Sequence, residues 1–81
     1  MTNREKLKKL LRDIFLLGEA DFSWNLRQDD VLSWDSLGTV SLAVGVQEVF
    51  GYHFTPEEAM SVKSFQDVVA LLEKNGVPLG E

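Results

Sequence analysis

The 81-residue sequence contains no cysteine. That absence excludes a disulfide framework and any thiolate metal site, so packing and helix ends must hold a small fold together. Long hydrophobic runs are missing too. The apolar stretches span only a few residues, against the roughly 20 needed to cross a bilayer, and no apolar leader segment follows the basic N-terminus. A soluble, cytoplasmic protein without membrane attachment is expected. Histidine occurs once, at His53 between Tyr52 and Phe54, and there is no Gly-x-Ser-x-Gly elbow. With neither a thiol nor that elbow, the chain is not read as an enzyme and His53 is read as structural or surface. Asp29 and Asp30 are adjacent carboxylates, but the alternating oxygen ligands, central glycine and closing glutamate of a calcium loop are missing, so no metal site is expected. Repeats, low-complexity tracts and alternating strand patterns are absent as well.

The hydrophobic content of 44% suffices for one domain, residues 1–81, around one modest core. Charge is divided unevenly. Residues 1–12 hold five basic residues and one acid, whereas the remainder holds three basic residues and twelve acids. A body of that sign repels phosphate backbones, which argues against nucleic acid and for a partner with a basic surface; solubility alone is the other reading of the acidity. Arg4, Lys8 and Arg12 share a helix face opposite the apolar stripe and are read as solvated surface rather than a lipid contact.

Thr2-Asn3-Arg4-Glu5 is a capping-box pattern, and Leu7, Leu10, Leu11, Ile14, Phe15 and Leu17 recur at three- and four-residue spacing. The spacing predicts a helix over about 2–17, closed by Gly18. From Gly18 to Trp34 the period is lost, giving a long loop whose Phe22, Trp24, Leu26, Val31 and Leu32 are expected to pack across the helices. Asp35 caps a second helix that runs to Phe50 and stops at Gly51. It is nearly apolar all round, which calls for a central position with one face displayed to a partner, and Gly45 in its interior costs about 1 kcal/mol against alanine unless close packing needs it. Thr55-Pro56-Glu57-Glu58 opens a short third helix ending near Ser61. Ser64 caps a fourth, with Phe65, Val68, Val69, Leu71 and Leu72 on its apolar face and Gly76 and Pro78 ending it. The expected fold is all-α, a four-helix bundle with one long connection and a short third helix.

Trp34-Asp35-Ser36-Leu37, then Thr39-Val40, then Glu48-Val49-Phe50-Gly51 resemble the signature of the acyl carrier protein family, whose core is the Asp-Ser-Leu triplet. Phe54 to Ala59 and Ser64 to Leu72 are similar to that family's third and fourth helices. The resemblance covers about residues 31–72 in one register. It implies that a phosphopantetheinyl transferase attaches 4′-phosphopantetheine from coenzyme A to Ser36, and that acyl groups ride on the arm's thiol as thioesters. The reactive sulfur then arrives with the cofactor, which accounts for the missing cysteine. Placed on the first turn of a helix, Ser36 also suits a phosphodiester anion, because free backbone N–H groups and the helix dipole meet there.

Carried over by position, the resemblance implies a partner-docking face comprising Asp35, Leu37, Val40, Val44, Glu48, Glu57 and Glu58. Its partners are acyl-loading and acyl-using enzymes with basic patches. Leu42, Val46, Phe54, Ala59, Val62 and Val68 are candidates to line the space that shelters an acyl chain, simple core packing being the alternative for each. A monomer is expected. Gly38 and Ser41 stand where carriers of fatty-acid synthesis place acids, so polyketide, modified-lipid and amino-acyl pathways stay open beside fatty-acid synthesis. The Gly-Gly-rich approach to serine of peptidyl carriers is absent. The rival to a carrier is an unmodified helical interaction module docking through the same face.

Overall fold

The computed structural model describes residues 2–31 and 34–79. Four helices make up its regular structure: α1 (Asn3–Phe15), α2 (Ser36–Phe50), α3 (Pro56–Ser61) and α4 (Phe65–Lys74). Among the described residues there is no strand, and no helix is long and apolar enough to cross a membrane. The long connection between α1 and α2 is shaped as expected from its scattered hydrophobes, with a 3₁₀ turn at Gln28–Asp30 that periodicity did not announce. Leu32 of that connection lies outside the described residues.

Each helix starts where its cap residue stands. The side-chain oxygens of Thr2, Asp35, Thr55 and Ser64 accept from the N–H groups of Glu5, Gly38, Glu58 and Asp67, so each relieves one of the unpaired donors of a first turn. The α1 end differs from the expected one. The chain turns at Leu16, with φ 55°, rather than at Gly18, and the Leu16 and Leu17 N–H groups both return to the Arg12 carbonyl. Turning early brings Leu17 back against the core while leaving Leu16 85% exposed.

Burial then sorts the faces. Leu7, Leu11 and Phe15 of α1 and Gly38, Leu42 and Val46 of α2 are buried, and Val68 and Leu72 of α4 are fully covered. At Gly45 α1 approaches α2 closely: a Cβ there would lie 2.6 Å from Leu10 Cδ1. Close packing therefore accounts for a glycine inside α2. An aromatic cluster ties the long connection to this frame. Phe65 lies 5.4 Å from Trp34, 5.6 Å from Phe22 and 5.9 Å from Phe15, measured between ring centroids.

Arg4, Lys8 and Arg12 of α1 are not merely solvated, contrary to the sequence reading. The Arg4 guanidinium donates to the Leu79 carbonyl at 2.7 Å and sits 4.8 Å from the Trp24 ring centroid. Lys8 and Arg12 both pair with Glu19, at 3.2 and 2.7 Å. The reason is the long connection, which brings Glu19, Phe22 and Trp24 back over the polar face of α1.

Leucine at φ 55° costs roughly 1–2 kcal/mol of steric strain that glycine does not incur. Since the Leu16 side chain is exposed, Leu16→Gly is expected to raise stability by about 1 kcal/mol in urea unfolding, with an unchanged m-value.

Candidate functional site

Ser36 is the first residue of α2 and is exposed. Its position follows from residues on both sides. Upstream, Trp34 is 4% exposed and stacked in the aromatic cluster, and its carbonyl accepts from the Gln28 side chain. Downstream, Gly38 is buried and its N–H is held by the Asp35 carboxylate at 2.9 Å. The chain is thus pinned two residues before and two residues after Ser36, and the hydroxyl lies between the pins at the positive end of a 15-residue helix.

Beside Ser36 runs a groove of about 450 Å³ between α2 and α3. Val40, Pro56, Ala59, Met60 and Val62 give it apolar walls, and Thr39, Gln28 and Lys63 add polar groups. Of the residues expected to shelter an acyl chain, Ala59 and Val62 line this groove. Leu42, Val46, Phe54 and Val68 are instead buried in the hydrophobic core, at most 4% exposed. Gln28, Met60 and Lys63 were not singled out by sequence. Gln28 sits in the long connection with no periodicity to mark it, whereas Met60 was detectable as an apolar residue on an otherwise polar short helix.

The residues expected on the docking face divide into two groups. Leu37, Val40 and Val44 are 73%, 58% and 51% exposed along α2, and Met60 on α3 is 73% exposed. Glu48 and Glu57 are exposed with them. Asp35 and Glu58 are committed within the fold. Asp35 caps α2, while the Glu58 carboxylate accepts from the Thr55 N–H at 3.0 Å and from the Tyr52 hydroxyl at 2.7 Å. Those bonds favour the charged carboxylate, the Thr55 N–H most, and hold the Glu58 pKa below its ordinary value. The same carboxylate favours the protonated Tyr52 phenol and raises its pKa. His53 Nδ1 lies 2.9 Å from Gln47 Oε1 and His53 is exposed. No group of three potential metal-ligating side chains occurs among the described residues.

No family model matches the chain. Comparison with characterised sequences finds a protein of Coprothermobacter proteolyticus, "Acyl carrier protein", 34% identical over 71 residues that cover 88% of this chain and 87% of that one. A protein of the same name from Solidesulfovibrio magneticus is 28% identical over 91% of this chain and 95% of its own. "Acyl carrier protein 2, chloroplastic" of Arabidopsis thaliana is 31% identical over 86% of this chain and 52% of its own.

Because Tyr52 keeps its proton longer while Glu58 is ionised beside it, spectrophotometric titration of the phenol is expected to give a midpoint above the ordinary value near 10. In Glu58→Gln the midpoint should fall back toward that value. The linked stability is present below pH 10 and lost as pH rises through the raised pKa.

Proposed function

The chain belongs to the acyl carrier protein family, carriers of acyl groups rather than enzymes, and on that premise we propose that Ser36 Oγ bears a 4′-phosphopantetheine arm added by a phosphopantetheinyl transferase. The observation that carries this reading is an exposed hydroxyl, fixed by buried neighbours on each side, at the positive end of α2 and at the edge of an apolar groove. These residues fit the group. The helix end favours a phosphodiester anion, no buried side chain has to move to admit it, and the groove offers an apolar wall to whatever the arm carries. Once attached, the arm supplies a terminal thiol that carries acyl groups as thioesters.

The chain's own contribution is position and recognition. Asp35 fixes the first turn of α2, and Trp34 holds its approach. Val40, Ala59, Met60 and Val62 offer contact to an acyl chain, with Leu42, Val46, Phe54 and Val68 as core beyond that wall. Docking to acyl-loading and acyl-using enzymes is assigned to Leu37, Val40 and Val44, flanked by Glu48 and Glu57; Asp35 and Glu58 contribute charge from their capping positions. Magnitudes rank these groups. Covering one exposed leucine or valine contributes about 1.5–3 kcal/mol, an exposed ion pair about 0.2–1 kcal/mol. Since α2 carries no charge from Ser36 to Gln47, the matching partner surface is apolar at its centre, with cations toward Glu48 and Glu57. Such a face serves fatty-acid, polyketide or specialised lipid synthesis. We take the carrier to act as a cytoplasmic monomer, residues 1–81 forming one carrier domain.

Incubating the apo protein with coenzyme A, magnesium and a broad-specificity transferase should add one phosphopantetheine, mapped by mass spectrometry to Ser36 and absent from Ser36→Ala. Leu37→Asp should slow that addition roughly tenfold with the circular dichroism spectrum unchanged. No addition by this or a cognate transferase would sink the carrier reading in favour of an unmodified docking module.

A further inference from the structure

The turn that bears Ser36 is held from two directions. Within α2, the Asp35 carboxylate accepts from the Gly38 N–H at 2.9 Å, and the Asp35 carbonyl accepts from the Thr39 N–H at 2.9 Å. Any capped helix start has bonds of this kind. From outside α2 comes the Gln28 side chain, whose Nε2 donates to the Trp34 carbonyl at 3.4 Å. That carbonyl belongs to the planar peptide unit joining Trp34 to the cap residue. Holding it fixes the plane through which the chain enters Asp35 and then Ser36.

Gln28 can serve as a fixed point because its own backbone is tied to the junction of α3 and α4. Its N–H donates to the Lys63 carbonyl at 2.7 Å, the Phe65 N–H donates to the Leu26 carbonyl at 3.0 Å, and Arg27 and Ser64 form an antiparallel bridge between them. Toward Ser36 the chain folds in two successive turns. The Val31 N–H returns to the Gln28 carbonyl at 3.2 Å, and the Trp34 N–H returns to the Val31 carbonyl at 3.0 Å. The Gln28 carboxamide then closes the circuit from its first residue to its last. A partly buried glutamine held in this way gives up rotamer freedom, at a cost comparable to the net gain from one neutral hydrogen bond. Stability accounts for little of this bond; position accounts for more.

Resting on the assignment of Ser36 as the arm's attachment point, we propose that Gln28 is a positioning residue for the transfer onto Ser36, setting the rate of that step without taking part in docking. In the step, Ser36 Oγ forms a bond to the phosphorus of coenzyme A that bears the pantetheine. The bond from that phosphorus to the bridging oxygen breaks, 3′-phosphoadenosine 5′-phosphate leaves with the electron pair, and the hydroxyl proton passes to a base of the transferase. Gln28 touches none of these atoms. It acts through the Trp34 carbonyl, narrowing the directions in which the first turn of α2 presents the hydroxyl, and reaction rates fall steeply when the attacking atom is misplaced. Docking is assigned to the exposed side chains of Leu37, Val40 and Val44, and a substitution at Gln28 leaves all three in place.

The test is single-turnover transfer onto the full apo chain, with coenzyme A, magnesium and transferase in excess. Gln28→Met keeps the length of the side chain and the backbone bonds but has no proton to donate. Its maximal transfer rate is expected to lie roughly fivefold below the parent's, at an unchanged half-saturating concentration of transferase, and Gln28→Ala should show the same fall. Loss of the bond should also move the Trp34 carbonyl ¹³C resonance upfield. Gln66→Met is the comparison: it removes another side-chain bond between the connection and α4, Gln66 Nε2 to Asn25 Oδ1 at 3.3 Å, and should leave the rate at the parent's value. Circular dichroism checks that each variant is folded under the assay conditions. A parental maximal rate in both Gln28 variants, or a change confined to the half-saturating concentration, would overturn the proposal. So would an equal fall in Gln66→Met, which would assign the effect to general loosening of the connection. Absence of any mass addition to the parent chain would instead remove the attachment reading, and this proposal with it.

Discussion

The packing of Phe65 against Trp34, Phe22 and Phe15 is the contact on which the rest of the arrangement depends. One ring at the start of α4 holds the end of α1, the long connection and the approach to α2 at once. Aromatic pairs contribute about 0.5–1.5 kcal/mol each beyond the area they bury, so this cluster adds to the turns and the 3₁₀ helix that order the connection. Ser36 inherits its position from that order. A serine on a free loop would present its hydroxyl in many orientations; this one follows two residues after a buried tryptophan.

Electrostatics differ between α1 and α2. On α1 the cations are spent internally: Arg4 ties the C-terminal segment to Trp24, and Lys8 and Arg12 hold Glu19. Exposure keeps each ion pair weak, but together they fasten the connection over the helix. On α2 no charged residue stands between Ser36 and Gln47, and the nearby acids at Asp35 and Glu58 are partly consumed by capping. The surface left for partners is thus more apolar than the acidic composition implies.

Helix starts were legible in the sequence because a cap is a local rule: Thr2, Asp35, Thr55 and Ser64 each act within three residues of themselves. The apolar stripe of α1 and the two-sided character of α2 were equally readable from spacing. The end of α1 was not, because Leu16 takes the left-handed conformation only to let Leu17 reach the core, a tertiary demand that outweighs the preference for glycine. The groove was legible in half. Ser36, Val40 and Ala59 lie on helices whose faces periodicity predicts, while Gln28 and Lys63 meet through a backbone hydrogen bond between segments 35 residues apart. The work of Arg4, Lys8 and Arg12 was hidden for the same reason, their partners being supplied by a connection without periodic signal.

Helix α3 contributes no buried residue of its own, yet Phe54 just before it and Val62 just after it are both 4% exposed. Mechanically it is a short bar on two anchors. Between those anchors the small side chain of Ala59 also packs against the core. The wall facing Ser36 thus rests on two buried anchors and one small side chain, whereas the wall bearing Ser36 is a 15-residue helix with Leu42 and Val46 buried.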